Sequence, residues 1–80
     1  MIHTIASEYE PGAKPAKEYE ALFTRSLQMW LRPFSEEINQ QNGKLVMIFA
    51  KDGSSRFRLE NVNELLKEKI ASRFPGFVAP

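Results

Sequence analysis

Seven residues in the middle of the chain, Lys44–Ala50 (KLVMIFA), are apolar on both alternating faces: Leu45, Met47 and Phe49 point one way, Val46, Ile48 and Ala50 the other. Period-two spacing predicts a strand, and a strand apolar on both faces has to be covered on both. Lys51–Ser55 (KDGSS) follows, with Asp52-Gly53 as a hairpin turn signal. Arg56–Glu60 (RFRLE) then alternates, with Phe57 and Leu59 directed to the core and Arg56, Arg58 and Glu60 to solvent. A lone hairpin is marginal in water, so other segments, or a second copy of the chain, must complete this layer.

The segments on either side read as helices. From Ala16, the apolar residues Tyr19, Leu22, Phe23, Leu27, Trp30, Leu31, Phe34 and Ile38 recur at spacings of three and four, and this stripe predicts the main core element. Pro33 falls inside it. Proline in a helix interior removes a hydrogen bond and clashes one turn back, which costs about 3 kcal/mol. The chain therefore forms either one long helix kinked near Met29–Arg32 or two helices, the second starting at Pro33 with Glu36 and Glu37 in its first turn. The in-phase apolar spacing leans towards the kink, and Asn42-Gly43 supplies the stop through a left-handed glycine cap. Downstream, Asn61 and Glu64 suggest a capping box, and Val62, Leu65, Leu66, Ile70 and Phe74 the stripe of a C-terminal helix that ends at Pro75-Gly76. Phe77 and Val78 form an apolar tail beyond it.

At the start, Met1–Ala6 is short, partly β-branched and suited to an edge strand or a frayed end. Ser7–Lys17, with Pro11, Gly12 and Pro15, reads as a turn or linker. The expected organisation is an N-terminal arm or edge strand plus linker over residues 1–15 and a single α+β domain over residues 16–80. Its order is (β)αββα, with the long helix and the C-terminal helix packed on a small antiparallel hairpin sheet.

An 80-residue chain buries only roughly 60–65% of its surface, so its core is thin. Small domains compensate with disulfides, a metal or association. With no cysteine, disulfides and thiolate metal sites are excluded, and the single histidine, His3, cannot hold zinc without other strong ligands. No apolar run approaches the roughly 18–20 residues of a membrane span, and Glu8 and Glu10 interrupt any leader pattern, so a cytoplasmic protein is expected.

The chemistry of an enzyme is scarce in this sequence. Ser54 and Ser55 suit a turn rather than a triad. Glu8/Glu10, Glu18/Glu20 and Glu36/Glu37 lie in polar stretches, where no carboxyl is desolvated for acid–base work. There is no phosphate-cradling glycine motif, and Asp52-Gly53-Ser54 lacks the oxygen ligands of a calcium loop. No catalytic residue, cofactor, metal site or small-molecule substrate is therefore expected.

Three features point to binding instead. Net charge is only +1, but residues 41–60 carry Lys44, Lys51, Arg56 and Arg58 against Asp52 and Glu60, a mildly basic hairpin. The doubly apolar strand invites a second copy of the chain. Met29, off the main stripe, and Phe77, beyond the helix stop, suggest a docking surface. The sequence thus predicts a small non-enzymatic binding or regulatory protein whose partner is another protein or itself in a homodimer, with Lys51, Arg56, Arg58, Met29 and Phe77 as candidate contacts. The alternative is a nucleic-acid-binding regulator that uses the basic face of the hairpin.

Overall fold

The computed structural model describes residues 1–79. Its elements are β1 (Thr4–Tyr9), α1 (Lys17–Trp30), a 3-10 turn (Arg32–Phe34), α2 (Ser35–Gln40), β2 (Lys44–Phe49), β3 (Ser55–Glu60) and α3 (Glu64–Arg73). The sheet order is β1-β2-β3, with β2 and β3 antiparallel and β1 parallel to β2. This is an α+β fold in the expected order, built on a mixed sheet. The parallel pair needs a crossover, which α1 and α2 provide.

The first strand runs further than the sequence suggests. It pairs with β2 from Thr4↔Lys44 to Tyr9↔Phe49, so Ser7–Tyr9 belong to the sheet and not to a linker. Two side-chain amides hold the segment before it. Gln28 accepts from the Ile2 N–H at 2.8 Å and donates to the Ile2 carbonyl at 3.1 Å, while Asn39 accepts from the His3 N–H and donates to the Met1 carbonyl. Ile2 is thereby buried in the core.

One core packs the helices against one face of the sheet. Phe23, Leu27 and Leu31 from the first helical segment, Phe34 and Ile38 beyond it, and Leu66 and Ile70 from α3 meet Leu45, Met47, Phe49, Phe57 and Leu59. At Pro33 the structure takes the interrupted form: α1 stops at Trp30, the proline sits in the 3-10 turn, and a separate α2 follows. Several apolar positions of the expected stripes are exposed instead of buried, namely Tyr19, Leu22 and Trp30 on α1 and Leu65 on α3.

The termini of the helices also differ in detail. Asn42, at φ 57°, takes the left-handed conformation after α2, and Gly43 does not. Gly43 is required for another reason: a Cβ there would lie 2.6 Å from Ile38 Cγ2 and 2.7 Å from Val62 Cγ1. Asn63, two residues later than expected, caps α3 by accepting from the Leu66 N–H at 2.8 Å, while Asn61 adopts φ 63° in the preceding turn. The Asp52-Gly53 hairpin turn forms as expected, with Gly53 at φ 89° and the Gly53 N–H bonded to the Ala50 carbonyl. The tail folds back along β3, where Phe57 N–H donates to Phe77 O and Ala79 N–H to Phe57 O, both at 2.8 Å.

Candidate functional site

The sheet face away from the helices carries the basic residues. By register it presents Thr4, Ala6 and Glu8 from β1, Lys44, Val46 and Ile48 from β2, and Glu60, Arg58 and Arg56 from β3. No helix lies over it, yet Val46 is 1% and Ile48 9% exposed. The arginines explain this. Arg58 stands opposite Val46 on β3, but its guanidinium bonds Glu8 of β1 at 2.6 Å and Glu60 at 2.9 Å. To reach β1 its stem crosses β2, so its methylenes lie over the apolar side chains beneath. Arg56, opposite Ile48, points towards Glu10 in the same way at 4.0 Å.

The electrostatics of this face follow from the pairing. Glu8 first, and then Glu60, stabilises the Arg58 guanidinium and raises its pKa above the ordinary value. The cations Lys44, Arg56 and Arg58 share the face with the carboxylates Glu8, Glu10 and Glu60. The hairpin that looks basic in sequence is therefore matched by acidic residues from the first strand and from its own end.

A second surface lies on the helix side. A cleft of ≈ 760 Å³ runs between α1 and the returning tail, lined mainly by Tyr19, Leu22, Phe23, Trp30 and Phe77, with Arg56, Asp52 and Glu10 at one end. Leu22 is 55% and Trp30 41% exposed. The aromatic rings of the row are held from behind. Trp30 stacks on Phe74 at 6.2 Å and meets Phe77 edge-on at 5.6 Å. Tyr19 stacks on Phe23 at 6.5 Å, and its hydroxyl shares a 2.6 Å hydrogen bond with Ser55. The polar groups at the cleft's end are engaged with one another: Ser54 donates to Asp52 from both its hydroxyl, at 2.7 Å, and its N–H, at 2.9 Å. These two bonds lower the Asp52 pKa from its ordinary value, the hydroxyl contributing most.

The five expected contact residues are thus divided among four places. Arg56 and Phe77 line the cleft. Arg58 lies across the open sheet face. Lys51 stands at the hairpin tip, its stem against Gly12. Met29 is exposed on α1, outside the cleft. The three-and-four spacing places Tyr19, Leu22 and Trp30 in the core, although a signal for their exposure exists. At about 100° per residue, the apolar positions of the segment 19–31 span an arc of about 180°, wider than one sheet contact covers. Phe23, Leu27 and Leu31 occupy the buried half; Leu22, Tyr19 and Trp30 occupy the other.

Among the described residues, no three His, Asp or Glu side chains converge as a metal site requires, and no helix is long and apolar enough to cross a membrane. Compared with family models, curated proteins and solved structures, the chain finds no significant match.

Proposed function

We propose that this is a small, non-enzymatic, cytoplasmic binding protein that acts through contact with another protein, and that the cleft between α1 and the tail receives an apolar segment of that partner. The observation that carries the reading is the row of Tyr19, Leu22, Trp30 and Phe77, exposed to solvent, with Tyr19 stacked on Phe23 and Trp30 on Phe74. Rigid aromatic side chains of this kind lose little entropy on binding and are the usual anchors of protein interfaces. From Tyr19 to Trp30 the helix rises about 16 Å, enough for a short peptide that inserts two or three large side chains.

The nucleic-acid alternative is less favoured, because the two arginines of the open sheet face are directed to carboxylates of their own chain. Tight binding to a phosphate backbone rests on several unpaired cations. Arg58, the best placed of them, is held by two carboxylates of its own chain.

The test is selection of peptides from a random display library on the purified protein, with Leu22→Asp as the counter-selection. Enriched peptides should carry spaced large apolar residues, shift the emission of Trp30 (the single tryptophan) and lose affinity at least tenfold for Leu22→Asp. Enrichment of peptides that bind the variant equally well, or none after repeated rounds, would remove the cleft as the binding surface. Salt-sensitive binding to generic oligonucleotides, lost in Arg56→Ala/Arg58→Ala, would replace this reading with the nucleic-acid one.

A further inference from the structure

The two edges of the sheet are treated differently by the chain. The β3 edge is covered where the tail pairs with Phe57. Among the described residues no strand pairs with the outer edge of β1, and five of its six residues are exposed. Soluble proteins usually blunt such an edge with lysine, proline, a bulge or a covering loop, because it is a template for another strand. TIASEY carries neither lysine nor proline, pairs with β2 without a bulge, and has one charge, Glu8, which is bound to Arg58.

The directions of its backbone groups can be assigned. The Glu10 N–H bonds Phe49 O in β2, so by strand alternation Thr4, Ala6 and Glu8 also face β2, and Ile5, Ser7 and Tyr9 present N–H and C=O outward. The side chains of these three lie on the helix side of the sheet, beside Leu45, Met47 and Phe49. Ile5 is 42% and Tyr9 52% exposed, and the Tyr9 ring is fixed by stacking on Phe49 at 5.5 Å and by its hydroxyl bond to Glu20.

We propose that two copies of this chain pair antiparallel along β1, about a two-fold axis at Ser7, and so join their sheets into one. The inference rests on the binding reading above and names the partner at this edge as the chain itself. An antiparallel pair centred on Ser7 is self-complementary. Ser7 faces its own copy and Ile5 faces Tyr9 of the second copy twice over, so each outward N–H and C=O of the three residues finds a partner. Ile5 against Tyr9 is an aliphatic–aromatic cross-strand pair of the favourable kind, and it covers the two apolar side chains that the edge exposes. On the opposite face Ala6 meets Glu8, and the two Glu8 side chains come together diagonally, each with its own Arg58 already in place. Fixing Met1–His3 through Gln28 and Asn39 prepares the strand for this role, since a frayed strand would have to be ordered first.

Two variants test it. The Ser7 N–H points away from β2, so Ser7→Pro leaves the β1–β2 ladder intact while it deletes the central rung of the pair. By sedimentation velocity across micromolar to high-micromolar concentrations, the native chain should dimerise and Ser7→Pro should weaken dimerisation at least tenfold with its far-UV circular dichroism unchanged. Because the protein has no cysteine, Ser7→Cys adds a single thiol. Opposed residues of a hydrogen-bonded rung lie about 5.5 Å apart at Cα, within disulfide range, so this variant should form a covalent dimer under mild oxidation. Thr4→Cys should not, since its copies would be about 20 Å apart. A native chain that stays monomeric throughout, a Ser7→Pro protein that dimerises as well as the native one, or cross-linking through position 4 in place of 7 would each overturn the proposal. A monomer that still selects cleft peptides would leave the binding reading standing and remove only the edge. A dimer abolished by Leu22→Asp but kept by Ser7→Pro would place self-association in the cleft and overturn the edge.

Discussion

On the helix side of β2, Leu45, Met47 and Phe49 are sealed by a conventional layer of apolar side chains from the helices. On the other side, Val46 and Ile48 are sealed almost as completely with no second layer, beneath the stems of Arg58 and Arg56. A strand apolar on both faces is usually taken to mean two packed layers. Here the second layer is two long cationic side chains directed across the sheet to Glu8 of β1 and to Glu10 just beyond it. Their methylenes exclude water while their guanidinium groups remain hydrated or ion-paired. In a chain of 80 residues this saves a helix.

The contrast is broken most severely on the helix side. Phe57 is fully buried, meets Phe74 edge-on at 6.2 Å and anchors the tail through its backbone. Phe57→Ala should cost about 3–5 kcal/mol. A domain of this size has only about 4–12 kcal/mol in total at typical per-residue stability. Urea denaturation should find the variant largely unfolded or with its midpoint roughly halved, and a loss below about 1 kcal/mol would mean that the core is not organised around this ring. A smaller but more specific effect is expected at Gly43, where the end of α2 and the turn before α3 press on the start of β2. Adding one methyl against Ile38 and Val62 should cost about 1–3 kcal/mol by overpacking. Gly43→Ala combined with Val62→Ala should recover part of that loss, and failure to recover any would point to the Ile38 carbonyl, 2.9 Å from the added carbon, as the obstruction.

The open face is probed by separating the stem of Arg58 from its charge. Arg58→Ala removes both and should cost about 1–2 kcal/mol, mainly as uncovered Val46 and Ile48. Arg58→Met keeps most of the apolar stem and should lose less than half as much, because ion pairs between partly exposed groups contribute about 0–1 kcal/mol. Equal losses in the two variants would show that charge pairing, not coverage, closes this face. Repeating both in high salt sharpens the distinction, since only the pairing is screened.

Much of this arrangement was legible in the sequence because it follows from local patterns. The hairpin could be read from KLVMIFA, Asp52-Gly53 and RFRLE, and α3 from its stripe and terminal breakers. What escaped was set by contacts distant in sequence. Ser7–Tyr9 look like linker because their own side chains are polar or exposed; they are a strand because Phe49 stacks on Tyr9 and Arg58 reaches Glu8. The role of Gly43 looks conformational until the positions of Ile38 and Val62 are known. The cleft was hidden by the opposite error. The stripe pattern counts Tyr19, Leu22 and Trp30 as core along with Phe23 and Leu27, although the arc they occupy is too wide for one sheet to bury. The neutralisation of Arg58 could not be inferred without the parallel placement of β1, which brings residue 8 within reach of residue 58.

The smallest effect expected is one of pH, and it too divides the two faces. Tyr9 donates its phenolic proton to Glu20 of α1, and that bond, together with some burial and the nearby negative charge, raises its pKa above the ordinary value. A group whose pKa is raised on folding contributes stability that is complete below its unfolded pKa and is lost as pH rises through the folded one. The contribution of Tyr9 is therefore present at neutral pH and disappears in the alkaline range above the ordinary phenol value. On the open face Arg58 has no corresponding alkaline loss, because Glu8 and Glu60 hold an already strongly basic guanidinium in its charged form. Alkaline titration should thus loosen the tie between β1 and α1 while leaving the arginine cover in place. Thermal melts of the native protein and Tyr9→Phe, followed from neutral to strongly alkaline pH, should converge as pH rises, because the native protein loses a bond that the variant never had. Curves that run parallel over the whole range would show that the Tyr9–Glu20 bond does not hold the edge strand to the helix layer in solution.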